Sequence, residues 1–275
     1  MIGKRKYELI KIAIPAMLVI MLMFLAESCG MKNGNGTASN KDSGGYRTGI
    51  IGAMEEEVES LKLELKNSKT TTIGGMDFYE GELDGADVVI VKCGIGKVNA
   101  GTCAQLLINV FGVDCIINTG VAGSLDATID IGDFVISTDA VQHDFDLTPL
   151  GYAPGELDGI GSASLPADED LRERAINAVS QCAPEVHAFE GRVCSGDQFI
   201  ASDEQKKEIL DKFGGLCCEM EGGAIAQICH QNGVPFVIIR AISDKADGSA
   251  HMDYGEFEHK AANRCAAITQ YMVSH

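Results

Sequence analysis

The sequence predicts an α/β fold in which helices cover a buried sheet, and three observations carry that expectation. Short Val/Ile-rich runs alternate with longer helix-like stretches through most of the chain. Runs such as VVIV at 88–91 and FVIIRAI at 236–242 are apolar without alternation, the pattern of strands buried on both faces. Glycine-rich segments follow several of these runs, at the carboxyl ends of strands where open α/β sheets bind ligands. At 275 residues with 45% hydrophobic residues, the chain suffices for one large domain with a full core.

The elements can be justified in order. TGIIGA at 48–53 is a short apolar strand that runs into Met54-Glu55-Glu56-Glu57-Val58, where crowded acidic residues suit the positive end of a helix. Strand-like runs recur at 70–73, 78–83, 87–93, 115–119, 133–141, 189–195 and 235–242. Helical stretches lie at 98–110, 168–180, 203–213, 221–231 and 257–272. Gly94-Ile95-Gly96-Lys97 and Gly120-Val121-Ala122-Gly123 are expected to form loops that floor a pocket. The first is not a nucleotide phosphate loop, which needs a longer turn and a Ser or Thr after the Lys, where Val98 stands.

Composition narrows the partners. Lys and Arg number 22 against 40 Asp and Glu, a net charge of −18, and that field repels nucleic-acid backbones. With 6% aromatic residues and no Trp, there is little material for stacking single-stranded bases. The ten cysteines show neither a C-x-x-C pair nor Cys/His ligand spacing, and the six His form no H-E-x-x-H cluster. They read as buried reduced thiols, and no metal is expected.

Residues 1–29 read as a separate object. Lys4, Arg5, Lys6 and Lys11 precede an apolar stretch at 12–26 and then Glu27-Ser28-Cys29, the layout of a secretory signal. Ala26-Glu27-Ser28-Cys29 resembles the lipobox of bacterial lipoproteins, with Ala26 where Leu is preferred and Glu27 where a small residue is preferred. Cys29 is thus a candidate for lipidation, and the expected location is membrane-anchored or exported, with the cytoplasm as the alternative. Residues 30–46, rich in Gly, Asn and Ser, read as a flexible tether, and residues 47–275 as the folded domain.

Several segments carry a family resemblance when taken together: GIIGAMEEEV at 49–58, KCGIGKVNAG at 92–101, IINTGVAGSL at 116–125, SGDQFI at 195–200, EMEGGAIAQ at 219–227 and RAISDKADG at 240–248. In order and spacing they closely resemble the methylthioadenosine/S-adenosylhomocysteine nucleosidases, members of the nucleoside phosphorylase superfamily. The resemblance implies a single-domain three-layer α/β/α sandwich with a central mixed, twisted sheet. It implies hydrolysis of a purine glycosidic bond with release of adenine, no cofactor, and a homodimer.

The residues agree with that chemistry. Glycosidic cleavage builds positive charge on the ribose and negative charge on the departing base, so it needs an acid at the base, a carboxylate near the sugar and an activated water. By resemblance, Asp244 protonates nitrogen 7 of adenine, Glu57 activates the water, and Glu221 grips the ribose hydroxyls while Met220 packs against the sugar. Phe199 lies against the base, the Ile200 backbone meets its amino edge, and Gly123 and Ile95 line the pocket. Arg240 and Ser243 are expected to brace Asp244. Leu147, Leu150 and Tyr152 fall in the segment that, in family dimers, closes the partner's pocket over the thioalkyl group. The family often has Ser where Val121 stands.

Three other readings compete. A nucleoside phosphorylase would use phosphate in place of water, but GAMEEEV puts carboxylates where phosphorylases of this superfamily place an Arg. Futalosine hydrolase shares the water chemistry and differs in the 5′ pocket. A surface-displayed binding protein would have no need for Glu57, Glu221 and Asp244 together.

Overall fold

A computed structural model describes residues 46–275. The expected signal, Cys29 and the tether up to residue 45 lie outside these residues. Ten strands form one mixed sheet: β1 (Arg47–Gly52), β2 (Lys66–Ile73), β3 (Met76–Leu83), β4 (Ala86–Lys92), β5 (Cys115–Ser124), β6 (Phe134–Gln142), β7 (Leu165–Pro166), β8 (Ala188–Ser195), β9 (Cys217–Glu219) and β10 (Phe236–Asp244). Among the described residues six α-helices accompany it: α1 (Glu59–Leu63), α2 (Lys97–Asn109), α3 (Glu169–Cys182), α4 (Asp203–Phe213), α5 (Gly222–Asn232) and α6 (Ala250–Ser274).

The sheet runs β10-β6-β8-β9-β5-β1-β4-β3-β2, with β7 beside β6. A further pairing of β10 with β5 closes the first five strands of that order on themselves. Strands β4, β1, β5 and β10 are mutually parallel, while the β2-β3-β4 meander is antiparallel.

The unbroken apolar runs explain the layering. Along β10, Phe236, Ile238 and Ile242 pack with Ala100, Cys103 and Leu107 of α2 and with Ile225 and Cys229 of α5. Val237, Ile239 and Ala241 point the other way, onto Leu171 and Ala175 of α3 and Ala261, Cys265 and Ile268 of α6. A strand with period-two side chains and helices on both faces is apolar on both, and β10 departs from that only at Arg240 and at its end, Ser243 and Asp244. Each fully buried Ile here is worth about 1.5–3 kcal/mol of apolar transfer. Side-chain caps fix two helix starts: Asp168 accepts from Leu171 N at 3.0 Å, and Ser202 from Gln205 N at 3.2 Å.

Three details differ from the sequence reading. Glu55, Glu56 and Glu57 precede the helix, in a turn, because the Glu57 side chain turns back to bond the chain that enters it. Gly120–Gly123 do not form a loop but continue β5, held by register partners on β10. The last helix begins at Ala250, ahead of the apolar pattern that marks its packed half. Nine cysteines are described, all unpaired, and all but Cys182 are buried.

Candidate active site

A cavity of about 480 Å³ opens at the carboxyl ends of β1, β5 and β10. Ala53, Met54 and Glu57 follow β1, Val121–Gly123 come from β5, and Arg240, Ser243 and Asp244 from β10. Met220 and Glu221 enter from the β9–α5 junction, Gln198–Ile200 from the segment after β8, and His251 and Tyr254 from α6. Parallel strands that end at one level bring these distant segments together.

Glu57 is 1% exposed. Its Oε2 accepts from the backbone N–H groups of Ala53 at 2.6 Å and Met54 at 3.0 Å, and its Oε1 accepts from Val121 N at 3.1 Å. Burial pushes this carboxyl above the usual glutamate range, while Arg240 and the three backbone donors hold part of that rise back. The contact at position 121 is made by the backbone, so Val serves there as Ser would. A Cβ on Gly120 would overlap both Glu57 and Arg240. Only glycine leaves room for that pair.

Asp244 ends β10, where the register against β5 shifts between Ile242 and Asp244. Such an irregularity re-aims a side chain at a strand end. Asp244 Oδ1 accepts from Ala246 N at 2.9 Å and Oδ2 accepts from Ser243 Oγ at 2.9 Å. Burial raises its carboxyl above the ordinary aspartate value, and these two donors offset only part of the rise. Gly123 is its partner on β5, and a Cβ there would stand 2.7 Å from Asp244 Oδ1. A buried carboxyl displaced upward is suited to hold a proton and give it up.

Glu221 caps the start of α5 and is 4% exposed. Gly96 of the GIGK turn donates its N–H to Glu221 Oε1 at 2.8 Å, which links the two motifs. Burial, and then the neighbouring Glu219, pushes its carboxyl up. Phe199 closes the opposite wall, stacked on His251 at 5.0 Å between ring centroids and edge-on to Tyr254 at 5.6 Å. Tyr254 in turn donates its hydroxyl to Met54 Sδ at 3.1 Å.

Every pocket residue expected from the sequence, Glu57, Ile95, Gly123, Phe199, Ile200, Met220, Glu221 and Asp244, lines this one cavity. Leu147, Leu150 and Tyr152 do not; they sit on the surface segment after β6, where Leu150 is 74% exposed and Tyr152 Oη donates to Asp158. Ser243 braces Asp244 as expected, but Arg240 does not. Its guanidinium points instead to Glu219, to Asn118 Oδ1 at 2.6 Å, to Glu221 Oε2 at 3.6 Å and to Glu57 Oε1 at 3.9 Å. A residue inside β10 faces into the sheet ring, whereas Asp244 lies past the register shift. Glu219, His251 and Tyr254 were not foreseen. Glu219 hides in a three-residue strand, and the two rings lie on the first turns of α6, ahead of the helical stretch the apolar pattern marks.

Comparison with known proteins gives the same assignment. A family model described as the phosphorylase superfamily matches residues 47–274. The 5′-methylthioadenosine/S-adenosylhomocysteine nucleosidase of Shewanella loihica is 42% identical over 230 residues, which span 83% of this chain and 99% of the relative. The crystal structure of the nucleosidase of that name from Neisseria meningitidis, in complex with methylthio-immucillin-A, superimposes with a TM-score of 0.80 at 41% identity, covering 83% of this chain and 98% of that one. Futalosine hydrolase of Helicobacter pylori gives 0.78 at 32% identity, covering 83% and 97%. This chain belongs to the 5′-methylthioadenosine/S-adenosylhomocysteine nucleosidase family of the phosphorylase superfamily.

Proposed function

We propose that this protein hydrolyses the glycosidic bond of 5′-methylthioadenosine and S-adenosylhomocysteine, releasing adenine and the thioribose sugar. The observation that carries this reading is the convergence of three buried carboxylates, Glu57, Glu221 and Asp244, on one cavity with an aromatic wall. Phe199 takes the face of the adenine, and the Ile200 backbone its amino edge. Glu221 accepts hydrogen bonds from the ribose hydroxyls and fixes the ring beside Met220.

As the bond from the sugar C1′ to the base breaks, its electron pair passes to adenine, and Asp244 delivers a proton to nitrogen 7. Positive charge on the ribose is met by the neighbouring carboxylates. Glu57 removes a proton from a water whose oxygen forms the new bond to C1′. Water is favoured over phosphate because, among the described residues, Arg240 is the one Lys or Arg lining the cavity, and Glu219, Glu221 and Glu57 surround it. A phosphate dianion would meet that excess of carboxylate.

The reading extends to the surroundings of the site. A second copy of the chain supplies Leu147, Leu150 and Tyr152 to close the pocket over the 5′ substituent, so the active form is a homodimer. Lipidation at Cys29 tethers the enzyme to a membrane; palmitate incorporation lost in Cys29→Ala tests that part alone. Likeness to the nucleosidases of Shewanella loihica and Neisseria meningitidis, at 42% and 41% identity, favours the thio substrates. Adenine release from methylthioadenosine, S-adenosylhomocysteine and futalosine by the purified protein tests the assignment. Faster turnover of the two thio substrates is expected, and a preference for futalosine would overturn it.

A further inference from the structure

Glu219 is 7% exposed, lies beside the cavity, and has no part in the reaction outlined above. Its carboxylate is held by four donors. Ser195 Oγ donates to Oε1, while Oε2 accepts from Glu221 N at 3.1 Å, Gly222 N at 2.7 Å and the Arg240 guanidinium. The Ser195 hydroxyl is fixed in its turn by Gly223 N at 2.6 Å. Oε2 thus accepts from three donors at once, the Arg240 guanidinium among them.

One buried guanidinium therefore serves three carboxylates, and it does so unequally. Arg240 bonds Glu219 directly, whereas its nearest approaches to Glu221 and Glu57 are 3.6 Å and 3.9 Å. At low effective dielectric, a unit charge moved from 4 Å to hydrogen-bond distance changes an anion's proton affinity strongly. We propose that Glu219 is a positioning residue: it takes up the Arg240 guanidinium and so leaves Glu57 able to accept the proton of the attacking water.

The other groups that face Glu57 do not replace this control. Glu221, from the start of α5, and Asp244, at the end of β10, are anions or neutral acids. Cys93, after β4, and Cys265 and Tyr254, on α6, are pushed toward their neutral forms by burial. Glu55 bonds Lys62 on the outer side of the turn, and Glu56 adds negative charge near Tyr254. Among the described residues, Arg240 is the one cation paired with Glu57. Its sharing between Glu219 and the two site carboxylates sets how strongly they hold a proton. Burial raises the proton affinity of Glu57 and, together with Glu219, that of Glu221, while Arg240 lowers both in part.

This proposal rests on the hydrolytic reading, so its test has one arm with turnover and one without. In the full-length protein, the acid limb of kcat/KM for adenine release from methylthioadenosine is compared between wild type and Glu219→Gln. The neutral amide releases the guanidinium toward Glu57 and Glu221, and the limb is expected to move to lower pH by about one unit, a tenfold change in proton affinity. Glu219→Asp, which keeps the charge, is expected to retain a limb close to wild type. The turnover-free arm follows the Glu57 side-chain carboxyl by 13C NMR, assigned by its loss in Glu57→Gln, and expects the same downward movement in Glu219→Gln. A wild type that releases no adenine overturns the hydrolytic reading and leaves the NMR arm to decide. A Glu57 titration unmoved or raised in Glu219→Gln overturns the positioning role. Should Glu219→Gln fail to fold, the titration is read in Ser195→Ala, which strips one donor from Glu219, strengthens its hold on Arg240 and is expected to move the limb upward; no movement overturns the proposal.

Discussion

Val121 donates its backbone N–H to Oε1 of Glu57 across 3.1 Å, tying the second strand of the parallel core to the carboxylate that follows the first. With Ala53 and Met54 on the other oxygen, the backbone fixes Glu57 in one orientation facing the cavity. Glu57→Gln keeps the shape but has no basic oxygen to take a proton from water. We expect kcat to fall by about 10²–10⁴-fold, the usual contribution of a positioned base. Steady-state adenine release with unchanged circular dichroism checks this; a kcat within threefold of wild type would remove Glu57 from the mechanism.

Asp244 offers a prediction that separates function from stability. Its carboxyl is raised above its unfolded value chiefly by burial, so the folded state takes up the proton first. That stabilising uptake is complete below the unfolded value and is lost as pH rises through the folded one. Asp244→Asn cannot ionise and escapes the cost, while Ser243 and Ala246 remain beside it. We expect the variant to match wild type in Tm near pH ~4, to exceed it by about 2–4 °C at neutral pH, and to lose most turnover. Thermal unfolding across pH measures the first part, and a variant less stable at neutral pH than in acid would contradict it.

Gly120 tests the packing beneath the site. A methyl group there meets the Glu57 carboxylate and the Arg240 guanidinium at once, and both are fully enclosed. Gly120→Ala should cost about 1–3 kcal/mol of stability, the usual penalty of overpacking, and lower kcat through the displaced base. Urea unfolding alongside kinetics resolves the two effects. A variant of wild-type stability would mean that the pair has slack the distances do not show.

The sequence made the layers legible because a strand covered on both faces has no choice but to be apolar, as along β4 and β10. The site was legible for a different reason: its residues fall in short motifs at strand ends, and Glu57, Glu221 and Asp244 all lie there. What escaped was decided by tertiary contact. Gly120–Gly123 look like a turn by composition, yet they extend β5 because β10 supplies register partners and because two carboxylates need the space. Glu55–Glu57 suit a helix start by charge, but Glu57 spends its acceptors on the turn itself. The direction of Arg240 depends on a strand register that no local pattern reveals. His251 and Tyr254 precede the buried stripe of α6 and both line the cavity, where Tyr254 also packs against the core.

Phe199 is 40% exposed, yet it stacks on His251 and meets Tyr254 edge-on, so one ring couples the base wall to the start of α6. Phe199→Ala should weaken substrate binding by about 1–3 kcal/mol, the worth of a base stacked on an aromatic ring. The loss should fall mainly on KM, because no proton passes through this residue. A fall in kcat alone would assign Phe199 to the chemical step instead.

Water, and not phosphate, attacks the sugar: Arg240, the one Lys or Arg among the described residues that line the cavity, is surrounded by carboxylates. Adenine release from methylthioadenosine, measured in phosphate-free buffer and again as inorganic phosphate is added, tests it most directly. Full turnover without phosphate, no acceleration on its addition, and a free thioribose product are expected. Turnover that requires phosphate and yields a sugar 1-phosphate would contradict it.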